Sequence, residues 1–156
     1  MKKDNSNLDK VDFKHFEEDE SFEIQRQLLE AGDIFTFIKE HDNHYQDITF
    51  TTYLEHLLET KALRKPEVIK ASGIDEPYAY QIFSGGKKPS RNKLLALVIG
   101  MCLTIDECRR FLYLGGVNQL NPKNRRDAAI ILGLHKGASV FDINDTLAEL
   151  DEPMIG

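Results

Sequence analysis

Hydrophobic positions fall into three regimes along the chain. Residues 1–20 are polar, with Glu17-Glu18-Asp19-Glu20 in a row and scattered apolar side chains. A segment that buries so little apolar surface cannot offset the entropy of ordering, so an acidic, mobile tail is expected. From Ser21 the character changes: Phe22, Ile24, Leu28, Leu29, Ile34, Phe35, Phe37 and Ile38 crowd together at mixed helical spacing, interrupted at Gly32-Asp33. That pattern predicts one or two short amphipathic helices in an arm spanning 21–48. From Thr49 the periodicity becomes regular, and a run of helices is expected to the C-terminus.

The first of these carries Phe50, Tyr53, Leu54, Leu57 and Leu58 on one stripe. Pro66 suits the first turn of the next, whose apolar face is Val68 and Ile69 and which Gly73 stops. Asp75 is placed to cap a third, Glu76 to Ser84, with Pro77 in its first turn and Gly85-Gly86 after it. Its Ala79 and Ile82 should face inward, and its Glu76, Tyr80 and Gln81 outward. Ser90 should cap a nearly engulfed helix carrying Leu94, Leu95, Leu97, Val98, Ile99 and Met101. Thr104-Ile105-Asp106-Glu107 reads as a capping box opening a helix with Cys108, Phe111 and Leu112 inward, ended by Gly115-Gly116. Asn121-Pro122 should start a further helix through Ala128, Ile130, Ile131 and Leu134, and Ile143, Leu147 and Leu150 stripe a last one. Nothing reads as a strand, so the fold class is all-α.

Composition narrows the function. The chain has 156 residues, 41% hydrophobic and 29% charged, which suits one ordinary domain with extensions. The longest apolar run, Leu94 to Leu103, is half of what a membrane span needs, and the polar start does not resemble a secretory signal. A cytoplasmic protein without a membrane partner is expected. Cys102 and Cys108 read as reduced packing residues. The motifs GxxxxGK[ST], GxSxG, HExxH and paired CxxC are absent and the five histidines are scattered. No catalytic residue, cofactor or metal is therefore expected, and His41 with His44 reads as a helix end or loop.

The formal charge of −6 argues at first against a polyanionic partner, because phosphates need local positive potential. Charge by segment reverses that. Residues 61–136 hold 14 Lys/Arg against 6 acids, a net of +8, between an N-terminal stretch of −9 and a C-terminal one of −5.

Within this basic segment lie a short helix, a tight turn at Ser72-Gly73-Ile74-Asp75, a second short helix and the connector Lys87-Lys88-Pro89. This is the helix-turn-helix order. Together with Pro66-Glu67-Val68-Ile69, Ile82-Phe83-Ser84-Gly85, Lys88-Pro89-Ser90 and Leu103-Thr104-Ile105-Asp106-Glu107, it resembles the lambda-repressor-like, or XRE-type, family of regulators. The resemblance covers about residues 49–116 and implies a five-helix helix-turn-helix DNA-binding domain, with helical extensions at 21–48 and 117–156. It implies base reading by Glu76, Pro77 and Gln81, with Tyr78 and Tyr80 nearby, and phosphate contacts by Lys65, Lys88 and Arg91, supplemented by Lys87 and Lys93. A glutamine amide matches the N6/N7 edge of adenine, which makes Gln81 the leading reader. The implied activity is non-enzymatic: a homodimeric repressor on pseudo-palindromic double-stranded DNA, acting at the nucleoid. The alternative is an antitoxin-like protein-interaction module whose 21–40 arm captures another protein. Arg125 and Arg126 either extend the phosphate track or lie in solvent.

Overall fold

A computed structural model describes residues 11–18 and 20–156. Residues 1–10 and 19, within the expected tail, lie outside the described residues. The chain divides into two compact units, residues 1–48 and 49–156. All regular elements among the described residues are helical, so the protein is all-α.

In the first unit, α1 (Phe13–Glu17) begins where the Asp12 carboxylate accepts from the Lys14 backbone N–H. An Asx-type cap thus holds one helical turn inside residues 1–20, most of which the sequence reads as a mobile tail. Helices α2 (Ser21–Glu30) and α3 (Ile34–Glu40) follow, separated at Gly32-Asp33 as the pattern predicts. Asp33 caps α3 by accepting from the N–H groups of Phe35 and Thr36. A 3-10 turn, Asp42–Tyr45, ends the unit. Among the described residues of this unit Phe37 is the buried hydrophobic one, stacked on His41 with ring centroids 4.1 Å apart, whereas Phe22 and Phe35 are 83% and 80% exposed.

The second unit contains α4 (Phe50–Thr60), α5 (Lys65–Ser72), α6 (Glu76–Ser84), α7 (Arg91–Gly100), α8 (Ile105–Leu114), α9 (Arg125–His135) and α10 (Val140–Glu149). Every residue from Leu94 to Ile99 is buried, so α7 is the central helix, with α5, α8 and α10 packed against it. Its closest approach is to α5. A Cβ at Gly100 would sit 3.0 Å from the Ser72 backbone nitrogen and 3.1 Å from the Val68 carbonyl oxygen. Glycine at this position lets two backbones meet where a side chain would separate them. Residues 117–156, which the sequence suggests as a separate extension, belong to the same compact unit.

Helix ends follow the expected chemistry with three differences. Gly73 is left-handed (φ 71°), Ser90 accepts from the Lys93 N–H, and Thr104 and Glu107 complete a reciprocal capping box. Asp75 occupies the N-cap position of α6 but makes no side-chain cap hydrogen bond; the proline in the first turn removes one N–H that would otherwise need a partner. The helix expected from Asn121-Pro122 begins instead at Arg125. Asn121 is disfavoured in helical geometry by the following proline and forms a turn, its side chain accepting from Lys123 N–H, while Asn124 caps α9. Cys102 is exposed and left-handed (φ 52°) and is not a packing residue; Cys108 is buried.

Candidate functional site

The segment Lys65–Lys93 is built on an apolar underside. Val68, Ile69 and Ser72 of α5, Ile74 in the turn, and Ala79, Ile82 and Phe83 of α6 are buried. This fixes rotation about α6, because residues three and four apart share a face. Glu76, Tyr80 and Gln81 are therefore exposed, as their spacing predicts, and so is Pro77. Tyr78 is half-buried, with the Lys93 ammonium 5.8 Å from its ring centroid, so these two side chains occupy one another at the edge of the face.

Gln81 also organises the loop that follows. Its carbonyl oxygen accepts from the backbone N–H of Gly86 at 2.8 Å, from that of Lys87 at 3.2 Å, and from the Ser84 hydroxyl at 3.1 Å. The end of α6 and the start of the basic loop are thus one hydrogen-bonded corner. Lys87 and Lys88 emerge from it exposed.

The other two candidate phosphate ligands are engaged within the protein. Lys65 pairs with Glu55 at 3.1 Å and lies 5.6 Å from the Phe83 ring centroid. Arg91 donates Nη1–H and Nη2–H to the two carboxylate oxygens of Asp127 at 3.2 and 3.0 Å, Nε–H to the Asn118 carbonyl and a second Nη2–H to that of Gln119. Four of its five N–H donors are thus used internally, in the bidentate geometry that suits guanidinium and carboxylate. Arg91 is a strap between α7 and the loop entering α9.

Of the two arginines at the start of α9, Arg125 lies largely in solvent, its side chain 70% exposed, whereas Arg126 follows neither of the alternatives left open for it. Arg126 donates to the carbonyls of Pro153 and Met154 and to Asn92 Oδ1, and Arg125 to the carbonyl of Leu150. Asn144 completes this clamp with a reciprocal pair of hydrogen bonds to the backbone of Ile155, whose side chain is buried. The signal that could have revealed the strap is Asp127, an acid immediately before the apolar stripe of α9, where burial of a carboxylate requires a cationic partner.

No nucleophile emerges from the cysteine of the core. Burial pushes the Cys108 thiol up to about 12 against the opposing charge of Arg91, so it stays protonated and packs as an apolar group. Among the described residues no helix is long and apolar enough to cross a membrane. No protein-family model, curated protein or solved structure matches the chain.

Proposed function

We propose that α5, the turn at Gly73–Asp75 and α6 form a lambda-repressor-like helix-turn-helix that binds double-stranded DNA, with α6 as the helix inserted in the major groove. The observation that carries this reading is the combination of one exposed α6 edge, Glu76, Pro77, Tyr80 and Gln81, with the exposed pair Lys87 and Lys88 held to the same corner through the Gln81 carbonyl. Base edges require a side-chain reader on a rigid helix, and phosphates require cations beside it. In this reading Gln81 reads adenine and Lys87 and Lys88 fix register, while Lys93 and Lys65 contribute through the field of the basic segment. The protein acts without a catalytic step, as a homodimer occluding a promoter, with recognition helices about 34 Å apart on a pseudo-palindrome.

Selection of bound sequences from random duplex DNA at stated salt tests this directly. An enriched inverted repeat is the expected result; no enrichment would refute sequence-specific binding. Gln81→Ala should relax preference at one base position at a cost of about 1–3 kcal/mol, whereas Lys88→Ala should weaken all sequences alike and reduce the salt slope by about one. The second reading, a protein-interaction module, is favoured by one observation: Phe22, Leu29 and Phe35 of α2 and α3 are largely exposed. It predicts purification with a bound partner and no enriched sequence.

A further inference from the structure

We propose that His15, Glu20 and His44 form a binding site for a zinc-class divalent cation, tying α1 to the turn that follows α3. The three residues come from separate places in the first unit: His15 from α1, Glu20 from the bend before α2, and His44 from the 3-10 turn. One ligand atom from each lies within 4.8 Å of the other two. Glu20 Oε2 stands 3.5 Å from His15 Nδ1 and 3.8 Å from His44 Nδ1, and the two imidazole rings meet edge-on at 4.5 Å. Zinc bonds of about 2.0–2.1 Å place tetrahedral donors about 3.3 Å apart, so both imidazole–carboxylate separations are already within about 0.5 Å of that value.

The donor set indicates the class of ion. Two imidazoles and a carboxylate, with a fourth position for water, suit zinc and its neighbours, while calcium and magnesium require mostly oxygen ligands. The surroundings supply an outer partner as well. Asp12 Oδ2 lies 3.8 Å from His15 Nε2, the ring nitrogen that faces away from Glu20, where a carboxylate orients a ligating imidazole. Asp12 is itself held, its backbone N–H donating to Gln46 Oε1 at 2.9 Å, two residues beyond His44. The sequence pairs His44 with His41, but the His41 ring nitrogens contact the Phe37 carbonyl at 2.9 Å and Gln27 Oε1 at 3.1 Å. The companions of His44 lie more than twenty residues upstream, which is why no local spacing motif announces them.

The test is titration of tag-free, chelator-treated full-length protein with Co(II), followed by competition with Zn(II), Ca(II) and Mg(II). The expected result is one equivalent of cobalt with the intense visible bands of a four-coordinate ion, displaced by zinc and by neither calcium nor magnesium. His15→Ala and His44→Ala should each lower affinity by more than about a hundredfold. Asp12→Asn, which keeps the cap of α1, should lower it by about ten- to a hundredfold, the usual effect of an outer-sphere partner. His135→Ala should leave it unchanged. His44→Cys keeps a ligand in place and should add a thiolate-to-cobalt charge-transfer band at the same stoichiometry, a gain of signal that unfolding could not produce. Cobalt that remains six-coordinate, equal binding by the His15→Ala/His44→Ala double variant, or a His44→Cys variant without the new band would each overturn the proposal and leave an ion-pair cluster alone. The outcome is independent of whether α6 binds DNA.

Discussion

Truncating Arg91 separates two roles that its position allows, a phosphate contact or an internal strap. Arg91→Ala leaves the Asp127 carboxylate, 9% exposed, with the Asn121 N–H at 3.0 Å as its remaining donor from outside α9. Removing one partner of a buried ion pair costs about 3–5 kcal/mol, because the other charge stays buried and uncompensated. The Arg91 side chain is 25% exposed, so its loss admits water and the lower end applies, about 3 kcal/mol. The carbonyls of Asn118 and Gln119 belong to exposed residues and rehydrate. A loss of that size should lower the thermal midpoint by roughly 10–20 °C for a unit of this length, yet leave the native state dominant at 25 °C. Folding and the proposed DNA binding are then measurable on the same variant. Urea unfolding of Arg91→Ala, Asp127→Asn and the double variant should give a coupling energy of about 2 kcal/mol, within the range for residues in contact. The slope of log affinity against log salt should be unchanged in Arg91→Ala, but flattened by about 0.9 in Lys88→Ala. An unchanged urea midpoint with a salt slope reduced by one contact would refute the strap and restore Arg91 to the phosphate track.

Two further predictions concern stability. Cys102→Gly should raise it by about 0.5–1 kcal/mol, because a left-handed non-glycine residue costs about 1–2 kcal/mol and the added freedom of glycine in the unfolded chain offsets only part; Cys102→Ala should bring no such gain, and equal urea midpoints for the two variants would refute the argument. The Glu107 carboxyl is raised by burial, but the Lys61 ammonium at 2.8 Å and the Thr104 N–H outweigh this and hold it below its ordinary value of 4.5. A depressed folded value means that the stabilisation is present above 4.5 and lost as pH falls through the folded value. The stability difference between wild type and Glu107→Gln should therefore be constant near neutrality and shrink on acidification; a difference that grows toward low pH would have the wrong sign.

Local chemistry was largely legible in the sequence, and long-range chemistry was not. The stripe on α4, the left-handed stop at Gly73, the caps at Ser90 and Thr104 and the inward Ala79 and Ile82 all depend on neighbours within four residues, where periodicity and capping rules apply. The contact of Gly100 with the α5 backbone spans helices that are adjacent in space but not in sequence. So does the Arg91–Asp127 pair, 36 residues apart. The exposed edge of α6 was foreseen because it is the complement of a helical stripe. Which cations stand free beside it depends on the tertiary positions of carboxylates and carbonyls, which no local rule encodes.

That distinction changes what the basic segment can do. Its net of +8 suggests a broad cationic surface, but Arg91 and Arg126 are turned to carbonyl, carboxylate and amide acceptors of the protein itself. A guanidinium is suited to this, since its planar fork satisfies several fixed acceptors at once. Lys87 and Lys88 are left outward, and an ammonium on a flexible stem attracts phosphate without imposing a fixed geometry. A DNA interface built this way would have a shallow electrostatic component that salt readily screens, and little bidentate base recognition outside Gln81. Discrimination would then rest on the doubling of a weak half-site contact through a homodimer, in which each recognition helix adds its own increment of specificity. A monomeric variant that retained full sequence preference would contradict this division of labour between the internally paired Arg91 and Arg126 and the outward Lys87 and Lys88.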